Sequence, residues 1–186
     1  TGSSLNNKRR KVLALFVWIK KQHFINENPV EEIERFKEVT RPVEYLKAEE
    51  VEQLKEGCKN RRDRALLEWL RSTASRKGEI PYVRINQIDW ILYGEKTETY
   101  RQVFLDGVAL KYIKEYIVLD RNQSFDSNEP LFTHIVGDKS KALGKGGIFK
   151  EVKDIAGRCG INKRVYPQLF RSTTGTNIVR RGGTAD

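Results

Sequence analysis

The stretch YPQLFRSTTGTNIVRRG, Tyr166 to Gly182, sets Arg171 a few residues into a segment that reads as a helix stopped by Gly182-Gly183. A guanidinium there sits where main-chain N–H groups and the helix dipole help to hold an anion. A second arginine, Arg76, lies in TASRKGEI, directly after the most core-like helical segment of the chain. Between the two lies GEKTETYRQV, a charged hairpin with Lys96 in its turn. Two arginines and a lysine from separate elements are the groups needed to hold one phosphodiester. Guanidinium stays charged and offers paired donors, and an ammonium on a hairpin tip can protonate a leaving oxygen. Gln168, three residues before Arg171, shares its helix face and offers a donor to a phosphoryl oxygen, but it cannot titrate. Glu79, three after Arg76, either orients that arginine or simply pairs with it at the surface. Taken singly, each of these side chains also reads as an ordinary solvated residue, and only the combination is specific.

The 186 residues suffice for one sizeable core, with room for a fragment of a second unit. A net charge of +10 calls for a polyanionic partner, and charge alone does not distinguish DNA, RNA and anionic membrane. The charge is unevenly placed: KRRK opens the chain at Lys8 to Lys11, Glu27 to Glu56 is acidic, and Lys139 to Arg181 is strongly basic. The apolar run VLALFVWI is too short to span a bilayer, so no membrane association is expected. Cys58 and Cys159 are far apart and lack metal-ligand spacing, which reads as two reduced thiols in a cytoplasmic protein. His23 and His134 are isolated, so no metal site is expected. GKGG at Gly144 to Gly147 lacks the pattern of a phosphate loop and more simply starts a helix.

Periodicity predicts helices over Lys8 to Phe24, Lys47 to Cys58, Arg61 to Ser72, Val108 to Leu119, Gly147 to Cys159 and Pro167 to Arg181. One hairpin is convincing, Trp90 to Tyr93 returning over Tyr100 to Leu105. Leu131 to Ile135 is a candidate strand, Ser140 to Gly146 reads as a basic, glycine-rich stretch, and Thr1 to Asn7 reads as a flexible end. The expected fold is mainly α with a small antiparallel β-hairpin or sheet (α+β).

These boxes, in this order, resemble the tyrosine recombinases, or phage integrases. The family's first catalytic arginine lies in a stretch like threonine-glycine-any-arginine-any-serine-glutamate, and here Thr73 to Glu79 reads TASRKGE after the lead-in helix RDRALLEWL. EYLKAEEVEQL, from Glu44, is similar to the opening of the catalytic domain, and YGEKTETYRQVFL to its hairpin with the catalytic lysine at Lys96. GRCGINKRVYPQLFRSTTGTNIVRRG resembles the second arginine box, with Arg171 as its arginine and Gln168 where the family usually has histidine. KVLALFVWIKKQHFINENP resembles the last helix of a preceding core-binding domain. The resemblance implies a remnant of that domain over residues 1–42 and an incomplete catalytic domain over 43–186. It implies double-stranded DNA as partner, no cofactor, and a parent enzyme that is a tetramer on DNA, with this chain a monomer in solution. In the family, arginines clamp the phosphate, lysine protonates the leaving oxygen, and a tyrosine forms a 3′-phosphotyrosyl link. That tyrosine follows a third, glycine-histidine box. None of the seven tyrosines here occupies its place, so a core without its nucleophile, unable to cleave DNA alone, is expected. Two other readings remain: a non-catalytic DNA-binding protein derived from the same fold, and a basic interaction domain. Type IB topoisomerases share the chemistry, but the compact boxes look more like integrases.

Overall fold

The structure is a computed structural model that describes residues 1–39, 42–87, 91–94, 99–136 and 139–183. The chain divides into two compact units, Thr1–Pro42 and Val43–Asp186. In the first, helix α1 (Gly2–Lys21) is followed by a turn at His23, whose φ is 59°, and by a returning segment. The buried Asn6 side chain ties that return down: its amide donates to Phe36 O at 2.8 Å and its oxygen accepts from Phe36 N at 2.8 Å. Arg9 donates to the Ile33 carbonyl one turn later. Helix α1 therefore starts at Gly2 rather than near Lys8, because Asn6 has partners distant in sequence that hold the first turns.

The second unit is built around α3 (Arg61–Thr73). Asn60 caps it, its side chain accepting from Asp63 N at 2.8 Å. Nearly every residue of α3 from Ala65 to Leu70 is buried, because α2 (Ala48–Glu56), α4 (Gly107–Glu115), α5 (Lys145–Arg158) and α6 (Pro167–Arg180) all pack against it or its neighbours. Trp69 is fully buried and makes an edge-to-face contact with Phe132 at 6.2 Å between centroids, and Tyr116 stacks on Phe132 at 6.0 Å. Helix α4 ends at Glu115 and is drawn out into a single π-helical turn over Tyr116–Asp120, where the periodicity had pointed to continuous α-helix.

Strands β1 (Ile91–Gly94) and β2 (Thr99–Gln102) form an antiparallel ribbon with Ile91 opposite Gln102. A second ribbon pairs β3 (Thr133–Val136) with β4 (Lys139–Ala142), Thr133 opposite Ala142. The single expected hairpin is thus corrected to two. KSKA has no apolar alternation of its own and becomes a strand by pairing its main chain with THIV. The fold is otherwise the mainly helical one that the periodicity implies.

Two tight spots fix the helix packing. Arg71 bridges the fully buried Glu68, at 2.6 Å, to Asp106, the N-cap of α4, at 2.6 Å. Gly57 ends α2 where a Cβ would lie 2.2 Å from Cys159 Sγ and 2.9 Å from Ile155 O on α5. Cys58 beside it is a free thiol that burial, and then the Asp63 carboxylate, push up to about 12.

Gly57→Ala is therefore expected to destabilise the chain by about 1–3 kcal/mol. Adding Cys159→Ala should relieve only part of this, because the Ile155 carbonyl remains in the way; urea denaturation of the single and double variants checks both. Asp106 supplies a pH dependence. Partial burial pushes its carboxyl up, but the Ala109 N–H and the Arg71 guanidinium outweigh that and hold it below the ordinary range. A depressed folded value means a contribution present above the unfolded carboxylate value, about 3.9, and lost as pH falls through the folded one. Asp106→Asn, which keeps an N-cap acceptor, should flatten the loss of stability as pH falls below the ordinary carboxylate range. A titration of melting temperature reads this directly.

Candidate functional site

The first arginine is mounted on the end of α3. Thr73 Oγ1 donates back to Trp69 O at 2.7 Å and accepts from Ser75 N at 3.3 Å, while the Trp69 indole N–H donates to the buried Ser75 hydroxyl at 3.0 Å. Ala74 between them is the helix C-cap and is left-handed, with φ 49° and ψ 33°. The chain emerges from this locked turn at Arg76. The Glu79 carboxylate, 2% exposed, accepts from Arg76 N at 2.8 Å and from its Nη1 at 3.1 Å, while the Arg76 side chain itself is 46% exposed. Glu79 thus orients Arg76 from within the core, which resolves the choice left open by the sequence. The guanidinium is anchored from below and open to solvent above.

The second arginine arrives on α6. Leu169 and Phe170 bury one side of that helix. The Thr173 hydroxyl accepts from Leu46 N at 2.8 Å, and the Thr174 hydroxyl lies 3.1 Å from Arg71 O. These contacts lay α6 along the C-terminal end of α3. Arg171, one turn in from Pro167, then donates through Nη1 to Ala74 O at 3.0 Å. Ala74 is two residues before Arg76, a span of at most about 7 Å. The two arginines, 95 positions apart in sequence, therefore meet at one loop. Gln168 is exposed on α6 one turn before Arg171, on the same side of the helix. Lys96, the remaining candidate, falls in sequence between β1 and β2 and lies outside the described residues. The Ala74 carbonyl and the buried Ser75 were not singled out by sequence reasoning. An alanine where TASRKGE matches a glycine was their one signal.

The model of the phage integrase family matches residues 44–186. The chain belongs to this family of tyrosine recombinases. It is 24% identical, over 98% of its length, to the tyrosine recombinase XerC of Anoxybacillus flavithermus, of which it covers 64%. It is 26% identical, over 97% of its length, to a tyrosine recombinase of Pseudothermotoga lettingae, of which it covers 63%. The chain thus spans under two thirds of the length of these curated relatives. Among solved structures, XerA recombinase is similar over 79% of this chain and 54% of its own, with 25% identity and a TM-score of 0.66. A lambda integrase (75-356) dimer bound to a COC' core site shares the fold over 98% of this chain and 68% of its own, at 12% identity and a TM-score of 0.70. Among the described residues of this integrase-family chain, no helix is long and apolar enough to cross a membrane.

Loss of the Glu79 carboxylate leaves the Arg76 main-chain N–H without that acceptor and its guanidinium without an anchor. Glu79→Ala should cost about 1–3 kcal/mol in chemical denaturation, with Glu79→Gln, which keeps an acceptor, costing less.

Proposed function

We propose that this chain is the DNA-binding catalytic-domain part of a site-specific tyrosine recombinase, whose complete form cleaves and rejoins DNA through a 3′-phosphotyrosyl intermediate. The hydrogen bond from Arg171 to Ala74 O carries this reading, because it gathers Arg171 and Arg76 at one loop. Attack on a phosphodiester builds negative charge on its nonbridging oxygens. Arg76, held from behind by buried Glu79, and Arg171, held by a main-chain carbonyl, are pre-positioned to meet that charge. Lys96 is the proposed general acid for the leaving 5′-oxygen. Gln168 is the proposed neutral donor to a phosphoryl oxygen, which leaves that position without a titrating group. Tyrosine is the proposed nucleophile in the complete enzyme, and these 186 residues by themselves bind DNA without cutting it. Residues 1–42 belong, in this reading, to the end of a core-binding domain and residues 43–186 to the catalytic domain. The proposed partner is double-stranded DNA in the cytoplasm, with the chain a monomer when free and the complete enzyme a tetramer on DNA. The exchange of histidine for Gln168 favours one alternative, a DNA-binding protein of the same descent that no longer recombines.

The chain should bind duplex DNA with an affinity that falls steeply as salt rises, as counterions are released from phosphates. Arg76→Ala and Arg171→Ala should each weaken binding and flatten the slope of log K against log salt by about 0.9. Anisotropy titrations at several salt concentrations measure this. Denaturing gels should show no covalent adduct with the 186 residues alone. An adduct would mean that one of their own tyrosines is the nucleophile, and salt-insensitive binding would remove the phosphate-clamp reading.

A further inference from the structure

We infer that Ala74 positions Arg171, through a main-chain carbonyl that is available only because Ala74 is left-handed; this rests on the phosphate-holding role proposed above for Arg171. In a right-handed continuation of α3, the Ala74 carbonyl would point along the helix axis. At φ 49° and ψ 33° the N–H still closes the helix onto Leu70 O at 3.1 Å, while the carbonyl is turned aside and accepts from Arg171 Nη1 at 3.0 Å. A non-glycine residue in this region is uncommon, and the residues on both sides hold it there. Thr73 is buried and bonded to Trp69 O, and Ser75 is fully buried and bonded to the Trp69 indole. The carbonyl is thus a fixed acceptor in a rigid turn. A guanidinium carries five N–H donors in one plane, so anchoring one of them to a fixed atom orients the other four. The same turn leads directly into Arg76, whose main-chain N–H is held by Glu79. One left-handed residue therefore sets both arginines: it releases the loop that carries one and docks the side chain of the other.

The test uses the whole chain, with inorganic phosphate and a short duplex DNA as probes, read from the Arg171 side-chain NMR signal and from anisotropy well below each melting temperature. Ala74→Gly, which adopts the left-handed region freely, should keep phosphate affinity within about twofold. Ala74→Val, whose branched side chain disfavours that region, should weaken it about tenfold to a hundredfold, the range of one displaced charge-assisted hydrogen bond. In an Arg171→Ala background, Ala74→Val should cost no further affinity for the duplex, read by anisotropy. An Ala74→Val chain that melts lower but binds phosphate like the wild type would show the turn to be structural only, and overturn the inference. If that variant does not fold, the wild type decides. Its Arg171 guanidinium should rotate slowly and show separate Nη signals, and a freely averaged signal overturns the inference. Phosphate binding without duplex binding would remove the recombinase reading and leave the positioning role standing. An Arg171 signal indifferent to phosphate would remove the positioning role.

Discussion

Helix α3 is buried around almost its whole circumference, and the second unit is arranged by what must cover it. A helix with a single apolar stripe needs one partner. One whose Ala65, Leu66, Leu67, Trp69 and Leu70 are all buried needs partners on every side. That demand brings α4, α5 and α6 around it and places the Phe132–Tyr116 stack over Trp69. The C-terminal end of α3 is consequently rigid, and the chain leaves it through a turn whose side chains are bonded to the helix itself. A loop mounted this way can hold a cation in a defined place, which a mobile surface loop cannot.

Electrostatics follow the same logic. A chain with a net charge of +10 gathers its arginines at a cost in mutual repulsion. Buried acids offset this where position matters. Glu68 sits between Arg64 and Arg71 on α3, with Arg71 passing the contact on to Asp106, and Glu79 sits beneath Arg76. Glu68 and Glu79 are fully or nearly buried while their arginines keep some exposure, so these pairs immobilise a guanidinium and still present it outward. Arg171 donates to a neutral main-chain carbonyl of the same turn.

Most helices were legible because each covers part of the core through a repeating apolar face, and α6 was legible from its Gly182-Gly183 stop. The β3–β4 ribbon was not. KSKA shows no strand alternation and is held by hydrogen bonds to a partner segment. The first turns of α1 were also illegible, since TGSSLNN carries no periodic apolar signal and Asn6 finds its acceptors some 30 residues away. The role of Glu79 was half legible: the i to i+3 spacing suggested a pair with Arg76, but only burial showed that the acid orients the base.

By itself the sequence determined the helical class, the basic balance and the family, and it singled out Arg76, Lys96, Gln168 and Arg171 as candidates, because composition, local periodicity and short boxes are properties of neighbouring residues. The tertiary structure alone decided that Arg171 meets the loop carrying Arg76. That meeting depends on a left-handed Ala74 turning one carbonyl toward α6, and on Thr173 and Thr174 seating α6 against α3 and the Leu46 main chain. Contacts between residues nearly a hundred positions apart are set by how the helices cover one buried core, and no local pattern along the chain encodes that geometry.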